Sequence, residues 1–451
     1  MVSQERLFAE DAVAEATGTA PEIATRPSQA RVNGPVRNQV EMVMRDLDST
    51  LPQDHPARAI WEVVQKVDTS AFYASIKAVL GHPGHPSTDP QVLLALWLYA
   101  TAQGVGSARQ LDRLCQQHDD YRWLRGGVPI NYHMLSDFRI AHRQALDDLL
   151  TEILASMMAE GLVTLRHIAQ DGMRTRASAG ASSFRRQERL EQCLVEVRKQ
   201  VERLAKEREQ PDPGVNRRER AAQERAARQR QSRVEEALRR LPEIKAAKER
   251  QAKTLAKDKR AKVTQPRAST TDPEARVMKM PDGGFRPAYN LEIATDVDSQ
   301  VIVGVAVVTK GSDGGEAAPM AEQIDERTGH CPEAYLMDGG FATREDITAL
   351  ERQGITVYAP TRSPRTESSG RTQADARPDD TPEVASWRVR METDEAKAVY
   401  KERAATAECV NAHARRYGLR QLMVRGAAKV LSVLLLVAVA HNVLRWIALS
   451  S

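Results

Sequence analysis

Three carboxylates stand in settings that suit divalent metal. Asp171 ends the apolar-alternating run Leu165-Arg166-His167-Ile168-Ala169-Gln170, and Asp338 ends Ala334-Tyr335-Leu336-Met337 ahead of Gly339-Gly340. Glu408 closes a helix-like stretch that begins at Tyr400. Two-metal cutting or joining of phosphodiesters needs carboxylates gathered from rigid elements, with the ions about 3.5–4 Å apart. Oxygen ligands, several waters and a substrate phosphate suit Mg2+ or Mn2+, two ions in all. Each acid also has a plainer reading: Asp171 and Asp338 as turn residues before glycine, Glu408 as a solvated helix acid. Asp296, Asp298 and Asp313 are read as turn acids near the same sheet. His82, His85, His133, His142 and His441 lack the spacing of a zinc site and are read as loop or core histidines.

The elements that must position these acids follow from periodicity. Residues 1–38, rich in Ala, Thr, Pro and Arg, read as a loosely ordered lead-in. Residues 40–160 read as a helical domain, with Met42 and Met44 as core filler. Helices are expected at Pro56 to Val67, after the breaker His82-Pro83-Gly84-His85-Pro86, at Ala108 to Gln117 and at Tyr132 to Arg143. Short helices joined by Gly-containing turns suit a helix-turn-helix-like DNA module. Residues 163–451 read as a catalytic domain interrupted at 184–262 by a charged hairpin. The seam Leu190, Leu194, Val197, Val201, Leu204 is heptad-spaced, Pro211-Asp212-Pro213-Gly214 turns the chain, and Val234, Leu238, Leu241 resume the seam. Arg217-Arg218 and Lys259-Arg260 are its candidate DNA contacts.

Strands are expected at Tyr289 to Thr295, Val301 to Val308, Ala334 to Asp338 and Ile355 to Tyr358, with helices at Glu316 to Arg327 and Arg344 to Gln353. Residues 361–384 read as a solvated loop, and helix resumes from about Ala396. Without the hairpin the order is β-β-β-α-β-α-β-α. The fold class is therefore α/β, with a ribonuclease H-like core whose first and fourth strands bring Asp171 and Asp338 to one sheet edge.

Composition sets wider bounds. A chain of 451 residues has room for about three units at roughly 150 residues each. The 65 Lys+Arg and 61 Asp+Glu leave a net charge of only +4, so partners are better judged from local clusters. Cys115, Cys193, Cys331 and Cys409 are far apart, which excludes a disulfide framework or structural zinc and points to a reducing, cytoplasmic compartment. The N-terminus has no signal-peptide core, and the apolar run Val430 to Ala440 is too short to span a bilayer, so no membrane partner is expected.

The C-terminal pattern Tyr400-x2-Arg403-x4-Glu408-x6-Arg415 resembles the Tyr-x2-Arg-x3-Glu-x6-Lys signature of DDE transposases from bacterial insertion sequences. It has one extra residue before the glutamate, and Arg where the signature has Lys, which changes phosphate-contact geometry. Asp171-Gly172-Met173-Arg174-Thr175-Arg176-Ala177 and Asp338-Gly339-Gly340-Phe341 resemble the first and second catalytic strands of that family. Asp272-Pro273-Glu274-Ala275-Arg276 and Gly283 to Asn290 resemble the approach to its second strand. Residues 86–142 resemble its N-terminal helical domain, and the likeness spans about 40–450.

The resemblance implies that Asp171, Asp338 and Glu408 bind the metals. Tyr400, Arg403 and Arg415 would touch phosphate or orient the carboxylate. Positions 400, 403/404, 408, 411 and 415 share a helical stripe. It further implies binding to inverted repeats and target DNA, hydrolysis and strand transfer without a covalent intermediate, and a homodimer or larger assembly on DNA. A nuclease of the same fold that cuts without joining, and a non-catalytic DNA-binding protein, are the competing readings.

Overall fold

The computed structural model describes residues 40, 42, 44–78, 86–209, 216–254, 265–361 and 375–450. The chain divides into a short unit, Met1–Arg45, and a second unit, Asp46–Ser451. In the first, Val40, Met42 and Met44 are exposed. The two methionines are not core filler, because no regular element forms at those residues for them to pack beneath.

The second unit begins with seven helices: α1 (Pro56–Lys66), α2 (Ser70–Tyr73), α3 (Pro90–Ala102), α4 (Ala108–Gln117), α5 (Asp119–Arg125), α6 (Tyr132–Ala141) and α7 (Arg143–Ala159). Their starts follow the capping rules. The Asp89 carboxylate accepts from Gln91 N ahead of Pro90, Ser107 accepts from Gln110 N, and Asn131 accepts from His133 N and Met134 N. The single helix expected from Tyr132 to Arg143 breaks at His142, which leaves helical torsions and packs its ring against Phe72 and Phe138. The breaker at His82 to His85 lies outside the described residues.

Strand β1 (His167–Arg176) runs straight through Asp171 instead of ending there. The cause is its partner: the long β5 pairs with it from Ile168↔Asp296 to Arg176↔Ala288, so the ladder carries Gly172 and the arginines past the expected stop. Next come β2 (Phe184–Arg185) and the hairpin helices α8 (Gln187–Glu209) and α9 (Arg217–Thr254). The helices run antiparallel: Leu190 packs with Ala237, Leu241 and Ile244, and Arg198 pairs with Glu235 at 3.1 Å. β3 (Ala268–Ser269) pairs with β2 and closes the hairpin's base. The turn at Pro211 to Gly214 and the Lys259-Arg260 pair lie outside the described residues.

The chain continues through β4 (Arg276–Lys279), β5 (Phe285–Asp296), β6 (Ile302–Val308), α10 (Ala317–Thr328), β7 (Ala334–Met337), α11 (Arg344–Arg352) and β8 (Thr356–Tyr358). It ends with α12 (Pro382–Arg390), α13 (Asp394–Arg416) and α14 (Ala427–Leu449). The result is a mixed α/β unit around one six-stranded sheet ordered β4-β5-β1-β7-β8, with β6 on the same edge of β5 as β4. β1 is antiparallel to β5 and parallel to β7. Helix α12 begins inside the segment expected as a loop; Thr381 caps it and Pro382 opens it.

Helix α14 ties the parts together. It is apolar all round, which in a packed chain means burial on every side. By length and composition it could cross a membrane, yet it is mostly buried and packs on α7, α3 and β6. Asn442 both accepts from Ile302 N and donates to Ile302 O, fastening the helix to β6. One hydrophobic core thus runs from Ile60 and Leu94 through Leu434 to Val303 and Tyr335.

Candidate active site

Parallel pairing of β1 with β7 brings the first two acids together. The register Gln170↔Met337 places Asp171 and Asp338 one residue further on, side by side on neighbouring strands. Successive strand residues face opposite sides of a sheet, and both acids face α13. Arg403 on that helix reaches both, 3.2 Å from Asp171 Oδ1 and 4.0 Å from Asp338 Oδ2. Asn411, two turns on, donates to Asp171 Oδ2 at 2.8 Å. Asp338 Oδ1 accepts from Gly340 N at 2.6 Å, which turns the loop after β7. Helix α13 is held against the sheet by His167 and Glu402, 2.9 Å apart, and by small residues such as Ala407 in its inner stripe.

The electrostatics follow from this crowding. Burial pushes the Asp171 carboxyl above its ordinary range; Arg403 pulls it down, and Asp338 and Asp313 push it up. Burial also holds the Tyr400 phenol high, with Arg403 opposing. Tyr400 is half-buried one turn before Arg403.

The expected stripe on α13 divides. Arg403 and Asn411 face the acids, whereas Glu408 and Arg415 are exposed. Among the described residues, no hydrogen bond or ion pair joins Glu408 to Asp171 or Asp338. It does sit three residues before Asn411, which makes the two surface neighbours on the helix.

The opposite face of the sheet carries groups that the sequence reading did not single out. Asn290 and Glu292 on β5 are fully buried there, beside Gly172. Asn290 Nδ2 donates at 2.6 Å to both Glu292 Oε1 and Asp313 Oδ1. Gln170 Nε2 donates to Glu292 Oε2 at 3.2 Å, and Tyr335 Oη donates to Gln170 Oε1 at 2.6 Å. Burial, then the nearby Asp313 charge, pushes the Glu292 carboxyl up to about 8. Asp313 therefore faces this cluster and is no mere turn acid. Asp296 behaves as a turn acid, accepting from Ser299 N and Oγ, and Asp298 is 3.5 Å from Arg166.

The donors on the α13 face fit a hard cation. Both are carboxylates, and a guanidinium reaches both of them, where positive charge is favoured. Among the described residues, no three or more His, Cys, Asp or Glu side chains gather as a ready-made metal cage. Asp171 and Asp338 would be two of the ligands of such an ion; Glu408 is exposed on the helix and, among the described residues, has no bond to either.

Two segments match known families. Residues 45–141 match one described as Transposase domain (DUF772), and residues 360–447 match one described as Transposase DDE domain. The first covers α1 to α6. The second includes Tyr400, Arg403, Glu408, Asn411 and Arg415, while Asp171 and Asp338 fall in neither. No curated protein and no solved structure matches the chain.

Proposed function

We propose that this chain, a DDE transposase of insertion-sequence type by its two transposase segments, binds the terminal inverted repeats of its own element, cleaves a phosphodiester at each end, and joins the exposed 3′-OH to target DNA. The observation that carries this reading is the Asp171–Asp338 pair on adjacent parallel strands beneath Arg403. The strand order β6-β5-β1-β7-β8, antiparallel at first and then parallel, supports a ribonuclease H-like core.

Asp171 and Asp338, joined by Glu408 from the flank of α13, would hold Mg2+ or Mn2+. Such ions, two in this reading, supply activation of the attacking oxygen and stabilisation of the leaving one. The chain's own groups do the rest. Asn411 and Arg403 orient Asp171. Arg403, Tyr400 and the exposed Arg415 meet phosphate. Because two ends are joined in one event, the working form is at least a homodimer on DNA.

A DNA track is suggested by a cleft of about 570 Å3 between α6, α9 and the turn before α14. Arg139, Arg233, Arg425 and Lys429 line it with Ser136, Ser178 and Gln229, and among the described lining residues none is acidic. The helical segment 40–160 binds DNA in this reading, residues 163–451 form the catalytic domain, and 184–262 are its insertion.

The test is Asp338→Asn in the full chain. Cleavage of end-containing DNA should vanish while end binding persists, and pre-cleaved ends should be joined to target by the unaltered protein. Normal cutting by Asp338→Asn would refute the site. Cutting by the unaltered protein without joining would leave a nuclease.

A further inference from the structure

We propose a second cation site on the reverse face of the sheet, formed by Glu292, Asn290 and Asp313 over Gly172. A Cβ built on Gly172 would lie 2.9 Å from Asp313 Oδ1, 3.0 Å from Glu292 Oε1 and 3.1 Å from Asn290 Oδ1. Three oxygens thus converge on a space that any side chain at 172 would fill. Gly172 has no left-handed torsion to require glycine, so the space itself accounts for the residue.

The independent sign of a ligand is Asn290 Oδ1. Asn290 is fully buried, its Nδ2 is spent on the two carboxylates, and among the described residues its Oδ1 has no hydrogen-bond partner. Burying a carbonyl without a donor is costly, and this one points into the cradle. Charge balance agrees. Glu292 accepts only from amides, those of Asn290 and Gln170. Among the described residues the cation paired with Asp313 is Arg174, 4.0 Å from Oδ2, and Lys310 is engaged by Glu316 at 2.7 Å. Among the described residues, no cation pairs with Glu292.

Two carboxylates and an amide oxygen are the ligands of a hard divalent cation. Water would complete the shell of a cation held by these three oxygens. Bound there, it offsets the acidic charge behind Asp171 and favours that residue's ionised form. The site does not depend on whether the chain joins DNA.

The experiment measures binding of Mn2+ alone, then Ca2+ alone, to the full chain by calorimetry without DNA. Asp171→Asn/Asp338→Asn removes the α13-face pair, and this variant should still bind one ion per chain. Adding Glu292→Gln, or separately Gly172→Ala, should weaken that ion at least tenfold while the circular dichroism spectrum is kept. If one of these fails to fold, the other decides. No ion in the double variant, or an ion unaffected by the added substitution, overturns the proposal. Residual DNA cleavage by the double variant would instead count against the α13-face site, whatever the ion does.

Discussion

Asn411 Nδ2 lies 2.8 Å from Asp171 Oδ2, joining the later turns of α13 to the middle of β1. With Arg403 on Oδ1, this fixes both oxygens of the more buried acid of the pair. Groups that orient a metal-binding carboxylate typically account for 10–100-fold in affinity or activity. Asn411→Ala should therefore weaken Mn2+ binding and DNA cleavage by about 10–100-fold with end binding unchanged. Unaltered Mn2+ affinity would show that Asn411 only packs.

Arg403 is the cation between two acids that otherwise repel. Asp171 already titrates above its ordinary value, and removing Arg403 raises it further. Between the unfolded and folded values the native state then binds more protons than the unfolded chain, so stability falls as pH rises. Arg403→Gln should cost about 1–3 kcal/mol at pH 7 and much less near pH 4, where the raised Asp171 takes up its proton. Mg2+ should restore more of the loss in the variant than it adds to the parent. Urea melts at the two pH values, with and without Mg2+, check this. Equal loss at both would mean a packing defect alone.

Asp171, Asp338 and Arg403 were legible because apolar alternation along a strand, Gly-Gly after a short apolar run and helical spacing are local signals. Their meeting was legible from element order. Asn290 and Glu292 were not. Alternating polar residues in Tyr289 to Ala294 imply a solvated face, but α10 and the loop holding Asp313 cover it, so polar side chains are buried. The expected end of β1 at Asp171 failed for a similar reason: the length of β5, a distant segment, decides where β1 stops. Glu408 was legible as part of a motif, yet its exposure depends on the rotation of α13, which Ala407, Val410 and Ala414 set by packing.

His441 predicts acid sensitivity. Burial in α14 lowers its value to about 4, and its Nε2 meets Gln300 O at 2.8 Å. The unfolded chain takes up a proton near the ordinary 6.5 and the native state does so only near 4. Stability is therefore complete above that upper value and lost as pH falls through the window. The loss is on the order of 3 kcal/mol. His441→Gln should flatten the profile between these limits in denaturant melts. An unchanged profile would assign the acid transition to other groups.

The basic cleft predicts opposite effects on binding and on stability. Arg233 is lowered by burial first and then by the neighbouring Arg425 and Arg230 charges, and among the described residues its Nε has no partner. Like charges held together are strained in the free protein and relieved by phosphate. Arg233→Gln should thus leave the free chain as stable as the parent or slightly more so, by about 0.5 kcal/mol. It should weaken DNA binding evenly across sequences and reduce the slope of log affinity against log salt by about one, as should Arg425→Gln and Lys429→Gln. Fluorescence titrations over a salt series read that slope directly. A loss confined to the inverted-repeat sequence would mean that these side chains read bases, and an unchanged slope would remove the cleft from the DNA path.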